Sequence, residues 1–412
     1  MMKIVRTLLH LLPIAALACM AGCGGKKAAP VPETGTAAVP WSTVEAEARG
    51  QTVTLAMWQG DPYINAYMKD FVAPALKERY GVTLNIVGSQ GNEIVSALMT
   101  ELEAGREHGS YDMMWINGET FYQLRQIGAL YGPFVDRLPN ASAIDFSNRF
   151  INTDFQQKVD GYECPWGNVQ LAIIYDTVRV PNPPRTMAAL ETYVREHPGT
   201  FTFDNSFTGM TFLKCLLIDI AGGEKELAGP FNQATYEKYS ARLWDYINRI
   251  KPYFWKKGST FPNGVAQLHQ LFASGEVNFT MSNNDGDVDN KILQGLFPPT
   301  ARAYVLESGT IQNSHFMGIA KNSAHTAGAM VVANFLISPE AQLRKLEPKV
   351  WGDGTVLDIG RLPAEWQTKF HAVPGRRYAP PRAEIQSKAL MELAPEYMIH
   401  LYDDFRSHVI AH

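Results

Sequence analysis

The stretch that decides the fold is residues 52–64, Thr52-Val-Thr-Leu-Ala-Met-Trp58-Gln-Gly-Asp61-Pro62-Tyr-Ile64. Its first seven residues are β-branched or apolar and predict a strand. Asp61 and Pro62 predict the start of a helix, because an Asp side chain accepts from free amides there and a proline needs no N–H at the first helical position. The stretch therefore reads as a strand, a short turn and a helix.

Two more units of this kind follow. Val82–Val87 and Tyr111–Ile116 predict the next strands, with a helical pattern between them. Strands alternating with helices favour a mainly parallel sheet that is covered on both faces. Ligands of such sheets bind beyond the carboxyl ends of the strands. We therefore expect the loops at 58–61, 89–92 and 117–119 to converge on one edge.

The second half of the chain predicts a second α/β lobe. Thr200–Phe203 and Val277–Met281 read as strands, and Thr208 as the N-cap of an apolar helix. Gly309–Ala320 predicts a long strand, and Ser338-Pro339 the start of a helix. The expected fold class is thus α/β, in two lobes that each have a mainly parallel sheet flanked by helices.

The N-terminus has the pattern of an export signal. Lys3 and Arg6 precede the short apolar run Leu8–Cys19, and small residues lead to Cys23. The ending resembles a bacterial lipoprotein signal, which implies that residues 1–22 are removed and Cys23 is acylated. An ordinary signal peptide cut nearby is the alternative. Residues 23–49 are expected to form a flexible tether.

Composition excludes several classes of protein. The chain has 412 residues, 46% hydrophobic and 19% charged, with a formal net charge of −4. Without clustered Lys and Arg, binding to nucleic acid is disfavoured. The body has no apolar run long enough to span a bilayer. Cys164 and Cys215 are too few for a disulfide scaffold. Cys215 is interpreted as a small core residue, and a bridge between the two stays open.

Enzyme and metal motifs are missing from the sequence. We find no G-x-S-x-G, Walker, H-E-x-x-H or G-x-G-x-x-G pattern. The run Asp285-Gly-Asp287-Val-Asp289 starts like a calcium loop, but Asn290 and Leu296 occupy the positions of the required Gly and Glu. A carboxylate pair for glycoside hydrolysis stays open, because its spacing is three-dimensional. We expect no enzyme activity, no cofactor and no metal.

Three passages resemble the family 1 extracellular solute-binding proteins of ABC importers. They are Met57–Pro62, then Asp112–Glu119 with the Pro165–Asp176 segment, and Gly318–Asn322 leading into Val332–Gln342. Trp-Ile-Asn-Gly-Glu, Pro-Trp-Gly and Val-Trp-Gly-Asp are similar to the YnjB-type group of that family.

The resemblance implies a type II periplasmic-binding-protein-like fold with lobes that close on a ligand. Lobe I would comprise 50–168 plus 283–340, and lobe II 169–282 plus 341–412. By analogy the chain would cross near 166–175, 277–283 and 338–345. Expected partners are a small-molecule ligand, an ABC permease with its ATPase, and the membrane through the lipid anchor, with the protein a monomer in the cell envelope.

The candidate ligand residues lie where loops should meet at the cleft. Core packing or helix capping is the alternative role for several of them, including the aromatic residues, Asp61 and Thr208, and a structural role for His315. Glu119 is the sharpest candidate, because a carboxylate after an Asn-Gly turn has no evident structural task. The candidates are Trp58, Asp61, Asn117, Glu119, Trp166, Thr208, Gly209, Asn283, Asp285 and His315.

The residue types favour a small polar, cationic organic ligand. Carboxylates beside tryptophans suit a cation through ion pairs and cation–π contacts, and they repel phosphate or sulfate. A thiamine-like or polyamine-like molecule is the leading hypothesis, and a polar sugar also fits. The chain lacks the Tyr-Tyr pair of ferric-iron binders. The alternatives from other classes are a secreted α/β hydrolase and a structural or glycan-binding envelope lipoprotein.

Overall fold

The structure, a computed structural model, describes residues 39–411. Cys23, the signal 1–22 and most of the tether lie outside the described residues. The helices are α1 (Trp41–Ala48), α2 (Pro62–Ala66), α3 (Ala73–Tyr80), α4 (Asn92–Glu103), α5 (Gly118–Gln126), α6 (Arg149–Asn152), α7 (Met187–Glu196), α8 (Phe207–Ala221), α9 (Gln233–Ile250), α10 (Val265–Ser274), α11 (Asp287–Leu293), α12 (Thr326–Leu336), α13 (Pro339–Leu346), α14 (Ala364–His371), α15 (Arg382–Ile385) and α16 (Pro395–Phe405).

The strands are β1 (Thr52–Met57), β2 (Thr83–Gly88), β3 (Met113–Ile116), β4 (Leu130–Tyr131), β5 (Thr153–Asp154), β6 (Gln157–Lys158), β7 (Glu163–Gln170), β8 (Ala172–Asp176), β9 (Phe279–Ser282), β10 (Ala301–Tyr304), β11 (Thr310–Ala320) and β12 (Ala389–Leu390). The larger sheet has the order β12-β11-β3-β1-β2, and β4 and β7 also pair with β11. A smaller sheet has the order β10-β8-β9, and β5 and β6 form a hairpin.

The sheets are mixed. β1 is parallel to β2 and β3, as the first strand–helix units predicted. β11 runs antiparallel to β3, and all pairings in the smaller sheet are antiparallel. The α/β class is confirmed, but the parallel arrangement is limited to β1–β3 and the β11–β12 pair. No helix lies between β10 and β11, so β11 reaches the sheet without the crossover connection that a parallel βαβ unit has.

Two large hydrophobic cores form on either side of a strand pair. Met317 at one end of β11 packs in the first core, and Ile311 at its other end packs in the second. The segment of β7 and the residue after it also runs from one core to the other, since Trp166 packs in the first core and Leu171 in the second. β7 and β11 pair antiparallel along this passage. They therefore connect the two halves of the fold, which we call the first and the second body after the cores they contain.

The packing departs from the expected lobe boundaries at two places. Val288 and Leu306 pack in the second core, although 283–340 was assigned to lobe I. Trp351 and Phe370 pack in the first core, although 341–412 was assigned to lobe II. Apolar content alone does not say which of two cores a helix will join. The division of the chain between the lobes stays a prediction.

Local signals have mixed outcomes. The helix start at Asp61 is confirmed, since its Oδ1 accepts from the amides of Tyr63 and Ile64 at 2.7 and 3.2 Å. Ser338 likewise caps α13. The strand expected at 200–203 is wrong, because that extended segment pairs with no strand of the described chain. Thr208 is not an N-cap either, since α8 begins after Ser206.

The helical segment 62–80, which joins α2 to α3, is irregular just before Pro74. A π-helical turn spans Tyr67–Val72, and Pro74 is the second residue of α3. A proline lacks the N–H for an i→i−4 bond, so the change in hydrogen bonding centres on this region.

Both body cysteines are free and buried in the described structure. Burial raises the pKa of the Cys215 thiol to about 12. The core interpretation therefore holds for this residue, and a bridge between the two is absent. No helix among the described residues is long and apolar enough to traverse a bilayer.

Candidate functional site

The candidate site lies at the carboxyl end of β3 and on the adjoining part of β11 and β7. Trp115 in β3 and Asn117 just after it are two residues apart in extended backbone, so their side chains leave the same face of the sheet. On β11, Met317 pairs with Trp115, which places His315 on that face beside Asn117. Three side chains are thereby brought to one surface.

A β-bulge adds Trp166 to this surface. Phe316 pairs with Pro165 and His315 with Gly167, so Trp166 has no opposite residue on β11. An extra residue of this kind turns a side chain away from regular alternation and is common near functional sites. Gly167 is required beside it, because a Cβ there would lie 2.3 Å from the imidazole of His315.

The rings pack closely. The Trp115 and Trp166 centroids are 5.1 Å apart and edge-on, and His315 lies 5.3 Å from Trp115. Trp351 closes the group, 5.3 Å from Trp166 and stacked at 8° on His315. We call these four residues the aromatic cluster. Such contacts stabilise more than area burial alone and hold the rings in fixed positions.

The buried ion pair between Asp353 and Lys345 anchors the aromatic cluster through His315. His315 Nε2 lies 2.9 Å from Asp353 Oδ1, and the Lys345 ammonium donates to the same carboxylate. Burial favours a raised pKa for Asp353, but Lys345 and then His315 outweigh it and keep that pKa below its usual range. The carboxylate of Asp353 thus holds His315 in place, and the His315 ring packs against Trp115 and Trp351 of the aromatic cluster.

Asn117 and Glu119 supply hydrogen-bond acceptors, Asn117 beside His315 in the sheet and Glu119 in the first turn of α5. Asn117 is the N-cap residue of α5, yet its side chain makes no capping bond and its Oδ1 is buried without a donor among the described residues. Glu119 Oε2 is also buried and lacks a donor in that part of the chain. Burial raises the pKa of Glu119 to about 7, which Glu392 supports and Lys214 opposes.

The aromatic cluster also contains hydrogen-bond donors. The indole Nε1 atoms of Trp115 and Trp166 are buried, and neither has an acceptor in the described structure. Trp166 is 0% exposed. A buried polar group without a partner costs free energy, so unpaired groups in one place call for an explanation.

Asp61 joins the first core to the second. Its Oδ1 caps α2, and its Oδ2 accepts from Lys291 Nζ on α11 at 2.5 Å. Lys291 also contacts Asp287, which lies 3.3 Å from His269. Burial alone would lower the pKa of Lys291, but Asp287 and Asp61 raise it above its usual range. A series of contacts between charged or titratable side chains therefore connects the two bodies.

Trp58 lies at the end of β1, half-buried. Its ring covers Gly60, since a Cβ there would come within 2.3 Å of it. It packs at the margin of the first core, and no ring contact joins it to the aromatic cluster in the described structure.

The second body contributes Thr208, Gly209 and Asn283. Thr208 Oγ1 accepts from Asn283 Nδ2 at 3.1 Å, so these two candidates lie in contact. Gly209 lies against Asp204 at the start of α8, where a Cβ would come within 1.6 Å of the Asp204 carbonyl oxygen. Asp204 Oδ1 accepts from Ser206, so this carboxylate shapes the first turn of the helix.

Asp285 is fully enclosed by its partners. The guanidinium groups of Arg376 and Arg382 and the amide of Gln170 all donate to its carboxylate. Burial favours a raised pKa, but the two arginines outweigh it and hold the pKa of Asp285 below its usual range. The acidic loop is thus internally bonded, since Asp289 likewise accepts from the amides of 377–379.

Sequence reasoning missed several residues of this region. Trp351 and Asp353 lie in the Val-Trp-Gly-Asp motif, which indicated only a family resemblance. Their contacts with Trp166 and His315 depend on the tertiary structure. Lys291 and Lys345 carry no motif at all. The described residues hold no group of three or more His, Cys, Asp or Glu arranged for a metal ion.

One surface cavity lies away from the candidate residues. It has a volume of about 470 Å³ and lies between α9 and α16, where Tyr236, Trp244 and Asp404 are among its lining residues. None of the candidate ligand residues lines it.

Comparisons with known proteins match most of the chain. A family model described as "Bacterial extracellular solute-binding protein" matches residues 63–374. The chain is 37% identical to Protein YnjB of Escherichia coli over 332 residues, which cover 80% of this chain and 85% of that protein.

Solved structures share the two-lobed α/β fold. The spermidine/putrescine ABC transporter substrate-binding protein PotD of Streptococcus pneumoniae has a TM-score of 0.59 at 15% identity and covers 87% of this chain and 99% of its own. The Tp0655 (TpPotD) lipoprotein of Treponema pallidum has a TM-score of 0.63 at 13% identity and covers 88% and 100%. At these identities the likeness concerns the fold.

Proposed function

We propose a transport function on the premise that this chain belongs to the family of bacterial extracellular solute-binding proteins. In this proposal the protein captures a small polar, cationic organic ligand between its two lobes and delivers it to the permease of an ABC importer. It binds and releases its ligand without changing it chemically.

The observation that supports a cationic ligand is the pair of buried, unpaired acceptors on Asn117 and Glu119. A carboxylate and an amide oxygen without donors at a strand end suit a ligand that brings N–H groups and positive charge. The adjoining rings of the aromatic cluster add surfaces for cation–π contact. The fold neighbours include a protein named for spermidine and putrescine, which are cations of this type.

The candidate contacts fall into two groups in this proposal. Trp58, Asp61, Asn117, Glu119, Trp166 and His315 would approach the ligand from the first core, and Thr208, Gly209 and Asn283 from the second. Asp285 would act as a positioning residue, since its carboxylate is paired with Arg376 and Arg382.

Closure follows from differential affinity. A ligand shifts the lobes toward the closed state only if it binds that state better than the open one. Contacts from both bodies provide that preference. The Asp61–Lys291 pair already joins them in the described structure, so ligand contacts would add to an existing attraction.

Attachment to the envelope is proposed through acylation of Cys23, with residues 23–49 as a tether. Labelling cells with a radioactive fatty acid would mark the wild-type chain and not Cys23→Ser. A Cys23→Ser chain that still carries label would refute acylation at this residue. Adjacent genes for a permease and an ATPase would support delivery to an importer.

Native mass spectrometry of the chain purified from its own cell tests ligand capture. We expect a bound organic cation that is lost on denaturation. A thermal-shift series with putrescine, thiamine and phosphate tests the class, because a ligand that binds only the native state stabilises it, and does so more as its concentration exceeds Kd. Stabilisation by phosphate alone would refute a cationic ligand. Glu119→Gln should reduce the shift with the cations, and Glu365→Gln, an exposed surface change, should not.

A further inference from the structure

The aromatic cluster presents unpaired donors, in addition to the unpaired acceptors described above. Trp166 is fully buried on its bulge, and its Nε1–H has no acceptor among the described residues. Trp115, with its centroid 5.1 Å away, has a second such N–H. Two adjacent buried indole N–H groups are satisfied only by an oxygen or another acceptor that enters from outside the chain.

Donors and acceptors share one surface. The side chains of Trp115 in β3 and Asn117 just after it leave the same face of the sheet, and Glu119 follows as the second residue of α5. A molecule bound along this face would therefore be offered unpaired donors as well as unpaired acceptors.

We infer that the ligand is bifunctional, with a protonated nitrogen that donates to Asn117 and Glu119 and an accepting oxygen that receives the N–H groups of Trp115 and Trp166. This inference rests on the proposed function and narrows its ligand class. A pure diamine fits less well, because its second ammonium would place donors against donors. The indole groups are neutral, so the accepting oxygen is recognised by hydrogen bonding rather than by an ion pair.

Calorimetric titration of the full chain in detergent tests this inference. The probes are ω-amino acids from β-alanine to 6-aminohexanoate, each compared with the monoamine, the monocarboxylate and the diamine of the same chain length. At the best length we expect the amino acid to bind about tenfold or more tightly than the monoamine and the diamine, because it adds hydrogen bonds to buried donors.

Variants that lack an indole N–H test whether the tighter binding of the amino acid comes from the aromatic cluster. Trp115→Phe and Trp166→Phe keep most of the ring and remove the N–H, so each should lose about tenfold in affinity for the amino acid and little for the monoamine. Trp366→Phe is the matched control, since Trp366 lies on α14 with Lys369 against its ring. Two separate variants keep the test informative if one of them folds poorly, which circular dichroism would reveal.

Several results would overturn the inference. These are equal binding of the amino acid and its monoamine at every length, tighter binding of the diamine, or an unchanged advantage in both indole variants. Absence of binding by every probe would overturn it as well. Solute capture itself would survive each of these results if native mass spectrometry still showed a bound organic cation, so the two claims fail separately.

Discussion

Lys291 Nζ lies 2.5 Å from Asp61 Oδ2 and thereby joins two hydrophobic cores. Asp61 caps the helix whose Ile64 packs in the first core, and Lys291 follows Val288 of the second. The contact spans 230 residues of chain. It is a buried interaction, with the Lys291 side chain 3% exposed, so its loss should affect both stability and the approach of the two bodies.

Lys291→Met should lower the free energy of unfolding by about 3–5 kcal/mol, because it leaves the carboxylates of Asp61 and Asp287 without their shared cation. Urea unfolding at pH 7 measures this. Small-angle scattering should also show a larger radius of gyration in the folded variant. Lys369→Met removes an exposed pair and is the control, for which we expect no measurable change. A loss of similar size in the control would contradict the assignment.

Lys214 and Glu392 form a second buried pair, at 2.7 Å, with the Lys214 ammonium 4.0 Å from the centre of the Phe155 ring. Lys214→Met should cost about 3–5 kcal/mol, since it leaves a buried carboxylate uncompensated. The double change Lys214→Met with Glu392→Leu should cost clearly less than the two single changes added together. A double-mutant cycle by urea unfolding measures the coupling, and additive costs would refute a direct interaction.

Local signals predicted part of the site, because they depend on neighbours in sequence. The cap at Asp61 and the end of β3 before Asn117 follow from a few adjacent residues. The bulge at Trp166 does not, since it depends on the register between β7 and β11. The partner of Asp61 was equally hidden, because nothing near Lys291 in the sequence indicates which core its helix will approach.

The failed strand at 200–203 teaches the same lesson. Phe201 and Phe203 are fully buried, so the apolar character was a valid sign of core packing. A strand requires a ladder of hydrogen bonds in addition. This segment forms no ladder with a strand of the described structure, although Thr200 O accepts from Asn278 N just before β9. Pairing is a property of the tertiary structure that a short apolar run does not contain.

Gly118→Ala should destabilise the contact between α5 and the β5–β6 hairpin. A Cβ at Gly118 would lie 1.9 Å from the Phe155 ring, whose position is fixed because Phe155 packs in the second core. We expect a loss of about 1–3 kcal/mol in the free energy of unfolding, typical of overpacking. Adding Phe155→Leu should recover part of it, because the smaller side chain leaves room for the methyl group.

The Gly118→Ala result has its own control. Gly128→Ala changes a glycine with no neighbouring heavy atom at the Cβ position, although its positive φ of 65° brings a backbone cost of its own. The result that identifies steric overlap is therefore recovery of stability when Phe155→Leu is added to Gly118→Ala. If Phe155→Leu adds its own cost without any recovery, steric overlap at Gly118 is not the cause.

Glu119 should make stability depend on pH. Burial, supported by Glu392, raises the pKa of its carboxyl to about 7 in the folded state. Below about pH 4 the group is protonated in both the folded and the unfolded chain, so it contributes no difference. As the pH rises toward 7, the unfolded chain releases the proton and the folded chain retains it. The folded state therefore loses stability across this window, and the loss is complete above it.

Glu119→Gln removes this dependence. Relative to the wild type, we expect the variant to gain about 2–3 kcal/mol between pH 4 and pH 8, because one pKa unit corresponds to about 1.4 kcal/mol. Urea unfolding at the two pH values measures the difference, with Glu365→Gln as the exposed control. A difference between variant and wild type that is equal at both pH values would contradict a titrating Glu119. A cation that binds its carboxylate should reverse the trend, since binding then favours the deprotonated form and affinity rises with pH.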